Sequence, residues 1–487
     1  MARQDTLQKT MIAQPAESRD YPSMKHLFLI RHARAMRPDD IEDRQRPLSP
    51  RGQCQAVAMA PALQRLGALD GELHVSSALR AQQTLQALDT TLPELGLAKR
   101  AQGHEALYTF EEKALLQWLQ ALDEGNDRLA LIGHNPALLA LAQRLSLKAP
   151  KRLPTGGLIY LTLPTDTWRD LGHHTGETRS TLSPVEVSHT LFQRKAPAPP
   201  QLGRLKAPTR IQQRLMYQYR MIRSLEAGVS AGHDPEFLHQ YRVNLRRSRA
   251  IGEALLSMLD TAGLRRALKG LRRHARVTSE LRDLDVMLEN LIRQPAGEVR
   301  ESLEPMVVWL QAQAREVRRK VRENLQRRRY AQDMQAWQEL IASPQFTKAL
   351  ARLRTPQIDR ALHERLARHD ALLTSLDDAT PDAAIHRLRK QVKRIRYLAE
   401  LAPDAYQYLL EQLEERQERL GEFQDLCTQL DWLDSFVNAR QERPLTEETR
   451  DAMRDRASQL VERKDMIRRA LRELPSLADK VSLSSTH

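Results

Sequence analysis

The stretch Phe28-Leu29-Ile30-Arg31-His32-Ala33-Arg34-Ala35 sets a histidine between two arginines, directly after the apolar run Leu27 to Ile30. Such a run predicts a short buried strand. A histidine leaving the carboxyl end of a buried strand stands where open α/β sheets bind ligands. Alone, the stretch equally fits a strand end that carries a solvated Arg-His pair. Two further clusters have the same form: Ser76-Ser77-Ala78-Leu79-Arg80 after a second apolar run, and Gly133-His134-Asn135-Pro136 after a third. Arg80 falls in the first turn of a predicted helix, and Pro136 suits the start of another. Two histidines and two arginines gathered near helix N-termini make an oxyanion site with a nucleophile inside it.

The elements needed to gather them are legible as alternating periods. Strands are predicted at 26–31, 72–76, 128–133 and 157–163, and helices between them at 53–66, 78–88, 111–122 and 137–145. That alternation predicts a three-layer α/β unit, a mostly parallel sheet with helices on both faces. In such a sheet the three clusters open on one edge.

Four motifs in order, Arg31-His32-Ala33-Arg34-Ala35, then Arg46-Pro47-Leu48-Ser49-Pro50-Arg51-Gly52, then Ser77-Ala78-Leu79-Arg80-Ala81-Gln82-Gln83-Thr84, then Gly133-His134-Asn135-Pro136, closely resemble the histidine phosphatase superfamily. Within it the match is to the short, SixA-like phosphohistidine phosphatase branch, over essentially all of 24–172. The resemblance implies that His32 is the nucleophile, forming a phosphohistidine enzyme that water hydrolyses. Arg31, Arg80 and His134 would then hold the phosphoryl oxygens. Neighbouring guanidinium charges favour the neutral imidazole such a nucleophile requires. Ala33 replaces the usual glycine, and the proton donor is less defined. Glu105 is the best positioned acid, with a solvated loop glutamate as the other reading. A phosphohistidine substrate, whose imidazole leaves easily, makes small demand on a general acid.

With 487 residues, two or three domains are expected. A hydrophobic fraction of 41% with 28% charged residues is that of a soluble globular protein, and no apolar stretch is long enough to span a bilayer. Residues 1–23 lack the apolar core of a secretory signal and predict a disordered tail. Cys54 and Cys427 stand far apart in different modules, so a disulfide framework is not expected and a cytoplasmic address fits. The net charge of +14 divides into +3 over residues 1–200 and +11 over 201–487. The second part should therefore face a polyanion or an anionic surface.

Periodicity fails over 173–206, where Lys195-Ala196-Pro197-Ala198-Pro199-Pro200 predicts a semi-stiff tether. His173-His174 lacks spaced partners and is not expected to bind metal. From 207 to about 475 the pattern is helical, with a short tail over 476–487. The helical part also repeats. His239-x-x-Arg242-x-x-x-Arg246-Arg247-x-Arg249 returns 147 positions later as His386-x-x-Arg389-x-x-x-Lys393-Arg394-x-Arg396. Glu280-Leu281-Arg282-Asp283-Leu284 is echoed 142 positions later by Glu422-Phe423-Gln424-Asp425-Leu426. This predicts an all-α bundle built by duplication. Offsets 0, 3, 7 and 10 lie on one helical stripe, so each repeat lays four basic or histidine side chains along one face. Lys269, Arg272 and Arg276 are spaced for a further stripe. A single stripe is ordinarily a solvated face; the same stripe twice points to a shared channel.

This part resembles the CHAD family, the conserved-histidine α-helical domains that bind inorganic polyphosphate, over about 207–475. The second signature departs from the family where Gln424-Asp425 replaces Arg-Asp. The resemblance assigns phosphate contacts to His239, Arg242, Arg246, Arg249, His386, Arg389, Lys393 and Arg396, which present charged donors suited to phosphate oxygens. Aromatic residues are only 5% of the chain, too few for base-stacking platforms, so nucleic acid is not an expected partner, nor is a membrane. The Leu362-His363-Glu364 stretch puts its second histidine, His369, at +6 rather than +4, which excludes a zinc-protease helix. No cofactor or metal is expected.

The resulting expectation is a metal-independent phosphatase acting on a phosphohistidine-bearing protein, coupled to polyphosphate binding. Two alternatives stay open: a polyphosphate-binding or granule-associated protein with secondary phosphatase activity, and a phosphatase acting on polyphosphate itself.

Overall fold

A computed structural model describes residues 24–478 except 39, 124, 204, 260, 293–300, 378 and 441–444. The expected tail 1–23 and residues 479–487 lie outside the described residues. The chain divides into two compact units between Val187 and Ser188.

The first unit contains β1 (Met24–Arg31), α1 (Pro50–Arg65), β2 (Glu72–Ser76), α2 (Leu79–Thr91), α3 (Leu97–Arg100) and β3 (Gln102–His104). It continues through α4 (Glu112–Gln120), β4 (Arg128–Gly133), α5 (Ala137–Leu145), β5 (Leu158–Pro164), β6 (Glu177–Leu182) and α6 (Pro184–Val187). The six strands form one sheet in the order β3-β2-β4-β1-β5-β6. β3, β2, β4 and β1 run parallel, whereas β5 and β6 are antiparallel additions at one side. The ends of β1, β2 and β4 therefore open on a common edge, as the strand pattern predicts.

Strand alternation decides what each face buries. Leu27 and Leu29 of β1 pack into one cluster with Leu115, Leu116 and Leu119 of α4 and Leu138, Leu141 and Leu145 of α5. This leaves α1 and α2, which pack on one another, to the opposite face. Lys25 is buried beside them in sequence, and its ammonium pairs with Asp127 at 2.8 Å and lies 5.6 Å from the Trp168 ring.

The expected linker, 173–206, folds over part of its length. β6 pairs with β5, α6 packs on α1, and Phe192 joins the core of the second unit. β6 escapes a hydrophobicity reading because it is an edge strand of sequence ETRSTL, in which only Leu182 is buried. β3 escapes it because three residues, QGH, carry no period.

The second unit is helical: α7 (His189–Gln193), α8 (Ala207–Ala231), α9 (Pro235–Leu256), α10 (Leu264–Val277), α11 (Ser279–Ile292), α12 (Glu304–Gln326), α13 (Arg328–Ala342), α14 (Pro344–Ala351), α15 (Thr355–Thr374), α16 (Asp382–Ala399), α17 (Gln407–Ala439) and α18 (Glu447–Arg472). α8 and α9 form a hairpin whose turn is written in the sequence. Asp234 accepts the Glu236 N–H at 2.9 Å and Pro235 takes the first helical position, an ordinary helix start. Gly228 lies where a β-carbon would meet the Phe237 ring at 2.1 Å, so only glycine lets the two helices close. One core runs through the helices, from Leu215 and Tyr241 to Phe423 and Leu471.

Residues 476–478, expected as the beginning of a tail, are part of this core. Leu477 is fully buried, and Asp370 accepts the N–H groups of Leu477 at 3.0 Å and Ala478 at 2.9 Å. The Ser476 hydroxyl donates to the same carboxylate at 2.8 Å.

Candidate functional site

In the first unit, β1 delivers Arg31 and then His32 to the sheet edge, and the loop that follows is tied on every side. The His32 N–H donates to the Gly133 carbonyl at 3.0 Å, and Ala33 N–H to the Thr84 hydroxyl at 3.0 Å. Thr84 lies one turn beyond Arg80 and donates back to its carbonyl at 2.7 Å, so loop and helix α2 share one anchor. Arg34 N–H donates to Gln55 at 3.0 Å, and its carbonyl accepts from Ser49 N–H at 2.9 Å. Ser49 also caps α1 through the Gly52 N–H at 3.1 Å. A β-carbon on Gly52 would stand 2.1 Å from the Arg34 carbonyl oxygen. The Ser49-Pro50-Arg51-Gly52 motif is thus a clamp on the loop behind His32.

The histidine tautomer follows from its neighbours. Nδ1 of His32 lies 2.7 Å from the Ala33 carbonyl oxygen, which only accepts, so Nδ1 carries the proton. Nε2 is left with its lone pair, and the Arg80 Nε–H points at it from 3.2 Å. Burial, together with the Arg80 and Arg31 charges, brings the His32 pKa down to about 4 and outweighs the Ala33 bond. The imidazole is neutral at physiological pH, with its free nitrogen facing a guanidinium.

His134 follows β4, and its ring centroid is 5.0 Å from that of His32. Burial first, then the His32 and Arg80 charges, bring its pKa to about 3. Its Nε2 lies 2.8 Å from the Ser76 hydroxyl, which also accepts the Ala78 N–H at 3.3 Å. The His134 Nδ1 is buried and has no hydrogen-bond partner among the described residues. Arg31 is anchored to the Leu153 carbonyl at 2.8 Å, and Asn135 reaches the same oxygen at 3.1 Å. Among the described residues no group of three or more His, Cys, Asp or Glu side chains is placed to hold a metal ion.

Arg31, His32, Arg80 and His134 are therefore brought together. Glu105 is not: it stands at the rim, with its side chain 64% exposed and paired with Arg44. The acid at the arginines is one that sequence spacing does not suggest. Asp43, in the 3-10 turn Asp43–Gln45, accepts from Arg80 Nη2 at 2.9 Å, Arg46 Nη1 at 2.7 Å and Tyr108 Oη at 2.9 Å. Its backbone carbonyl takes Arg80 Nη1. Burial alone would raise this carboxyl, yet the bonds from Tyr108, Arg46 and Arg80 hold it at about 2. Tyr108 and Phe110 close the site with rings 5.5 Å from that of His134.

The second unit presents a polar cavity of about 210 Å³ lined by His239, Arg242, Arg246, Arg282, Asp283, Arg389, Asp425, Thr428 and Gln429, among others. Packing of α9 on α16 and α11 brings both repeats to it. Arg242 is positioned by the Ala275 carbonyl and the Thr278 and Ser279 hydroxyls at 3.0, 3.0 and 3.2 Å. Burial, with Arg389 and Arg246 nearby, brings the Lys393 ammonium down to about 7. Burial and then the neighbouring Asp425 charge push the Asp283 carboxyl up, against the pull of Arg242.

Of the residues on the predicted stripes, His239, Arg242, Arg246 and Arg389 line the cavity, and Lys393 is electrostatically coupled to it. The others have different surroundings. Arg249 and Arg272 share Glu253, at 3.4 and 3.0 Å. Arg396 pairs with Glu400 at 3.1 Å. His386 bonds to Gln424. Lys269 and Arg276 are exposed on α10. Arg282, Asp283 and Asp425 belong to the second echo, which marks the duplication in the sequence and here also supplies cavity walls.

Residues 213–434 match the model of the CHAD domain family. The N-terminal region is similar to the structure of the protein histidine phosphatase SixA complexed with tungstate, at 26% identity, covering 34% of this chain and 99% of that one, with a TM-score of 0.28. The CHAD domain from the plant Ricinus communis matches 58% of this chain and 98% of its own at 23% identity and a TM-score of 0.44. Among curated proteins, the uncharacterized protein Rv1276c of Mycobacterium tuberculosis is 29% identical over 153 residues, which are 29% of this chain and 91% of that protein. An uncharacterized protein of Picosynechococcus sp. is 33% identical over 128 residues, 25% of this chain and 72% of its own. Over that stretch the chain belongs to one family with the Picosynechococcus protein, and over 213–434 it carries a match to the CHAD domain family.

Proposed function

We propose that this chain is a phosphohistidine phosphatase whose second unit binds inorganic polyphosphate. The observation that carries the reading is the His32 tautomer: Nδ1–H is committed to the Ala33 carbonyl, and the lone pair on Nε2 faces Arg80. In-line attack by Nε2 on phosphorus would form a new N–P bond as the substrate's N–P bond breaks, its imidazole leaving with a proton taken from solvent. The positive charge built on the His32 ring is offset by the Ala33 carbonyl through Nδ1–H. Arg80 Nε–H and His134, in the tautomer that protonates its otherwise unengaged Nδ1, would take phosphoryl oxygens as charge redistributes. The phosphoenzyme would be the Nε2 isomer. Water would then attack it, returning Nε2 to its starting state and releasing phosphate.

The wall of the second cavity, with Arg242, Arg246, Arg282 and Arg389, supports anion binding by charge-assisted hydrogen bonds. A polyphosphate chain fits that donor set better than a base-reading partner, because the walls offer cations and few rings. The reading places the protein in the cytoplasm, with recruitment to polyphosphate granules following from the second site.

The deciding experiment gives purified protein a phosphohistidine-bearing protein and, separately, polyphosphate. Turnover of the first that is lost on His32→Ala while polyphosphate binding persists supports the reading. Binding with no turnover of either substrate rejects the phosphatase half. Phosphate release from polyphosphate that needs both His32 and Arg242 would instead make the polymer the substrate.

A further inference from the structure

The phosphatase reading leaves one group unaccounted for: a carboxylate seated on the guanidinium meant for phosphate. Asp43 offers two oxygens to three donors, Arg80 Nη2, Arg46 Nη1 and Tyr108 Oη, at 2.7 to 2.9 Å. That is the donor set, and close to the spacing, that two oxygens of a tetrahedral oxyanion would claim. The two partners differ in freedom. The Arg80 side chain is 4% exposed and held to His32, whereas the Asp43 side chain is 47% exposed. Asp43 rides on a three-residue turn with no buried side chain, tied to the rim by the Arg44–Glu105 pair. Arg80 must stay where it is; the half-exposed Asp43 carboxylate can swing toward solvent while its backbone carbonyl keeps Arg80 Nη1.

We infer that Asp43 is an internal competitor for the end of the Arg80 guanidinium, which an incoming phosphoryl group displaces and which returns to expel inorganic phosphate. This inference rests on the reading of the His32 site as a phosphoryl site and adds to it a means of clearing the product. A ligand that offers only a small anion regains little on displacing Asp43. A protein-borne phosphoryl group brings further contacts from its carrier. The displacement cost is the same for both, so Asp43 leaves their affinity ratio unchanged but keeps free phosphate, the product, from filling a site that the loaded substrate can still occupy. Its carboxyl stays ionised throughout the neutral range, so the competition does not switch off with modest acidification.

The test measures how orthophosphate protects His32 from carbethoxylation by diethyl pyrocarbonate in the full chain, read on the His32 peptide by mass spectrometry. This readout is confined to one site and is independent of turnover. Asp43→Ala should lower the half-protecting phosphate concentration about tenfold, the size expected for removing one close like charge at a half-exposed position. Asp43→Asn, which keeps the shape and loses the charge, should move it in the same direction by a smaller factor. Midpoints that are unchanged or higher in both variants, with wild-type protection intact, overturn the competitor role and leave Asp43 as a prop for Arg80. Absence of protection in all three proteins overturns the phosphoryl reading of the site itself. Protection in the variants but not in wild type supports the inference in its strongest form.

Discussion

The two units gather their cationic side chains in different ways. In the first, few groups converge and each is fixed by a hydrogen bond to backbone or hydroxyl: Arg31 to Leu153, His32 to Ala33, His134 to Ser76. Burial keeps both imidazoles neutral, near 4 and 3. In the second, cations spread along helix faces around a cavity of about 210 Å³, and two carboxylates, Asp283 and Asp425, share it with them. The first arrangement controls which nitrogen bears a proton; the second controls only how much charge is presented. Reaction needs the former, and holding a polymer needs the latter.

The comparison can be broken at its strongest point by His32→Ala. Turnover of a phosphohistidine protein should fall by at least about 10³-fold in kcat while affinity for polyphosphate stays within twofold. A comparable loss of both would mean that the units are not chemically distinct. Next in size, Arg389→Ala should weaken polyphosphate binding roughly 10- to 100-fold and flatten its dependence on salt, without changing kcat. Calorimetric titration at two ionic strengths reads both.

The pH responses should also diverge. His32 has a depressed pKa, so it remains neutral as pH falls and gains its proton only near 4; its ring resonances in a histidine-selective NMR titration should be flat between about 5.5 and 7.5. A midpoint near 6.5 would reject the buried, tautomer-locked site. Lys393 loses its charge as pH rises through about 7, so polyphosphate affinity should fall a few-fold between roughly pH 6 and 8. Lys393→Arg should remove most of that slope. The smallest effect belongs to Arg272→Ala. Its guanidinium is half exposed and shared with Arg249 at Glu253, so binding and stability should change by less than about 1 kcal/mol.

Motifs with a fixed spacing were legible because they are local. Ser49 and Gly52 bracket a helix start, and Arg80 and Thr84 stand one turn apart, so their partnership is written in the numbering. The stripe logic identifies Arg242, Arg246 and Arg389, but it cannot tell which end of a stripe meets the neighbouring helix. That depends on how α16 packs on α9, and Arg249 and Arg396 are instead paired with Glu253 and Glu400. Asp43 was invisible for another reason. Its partners, Arg80 and Tyr108, are 37 and 65 positions away, and its own turn has no hydrophobic period to place it. β6 shows the same limit, since an edge strand of polar residues carries no inside and outside to read.

Asp370 has a consequence for how the helical unit is made. Its carboxylate takes three donors from residues 106 to 108 positions downstream, and Leu477 fills the core beside them. A nascent chain that has finished α15 but not yet emitted those residues carries a half-made joint, with a carboxylate lacking these three donors and a leucine-sized socket open to water. Closure of this joint must wait until residues 476–478 have left the ribosome, unlike a hairpin that closes on itself as it emerges.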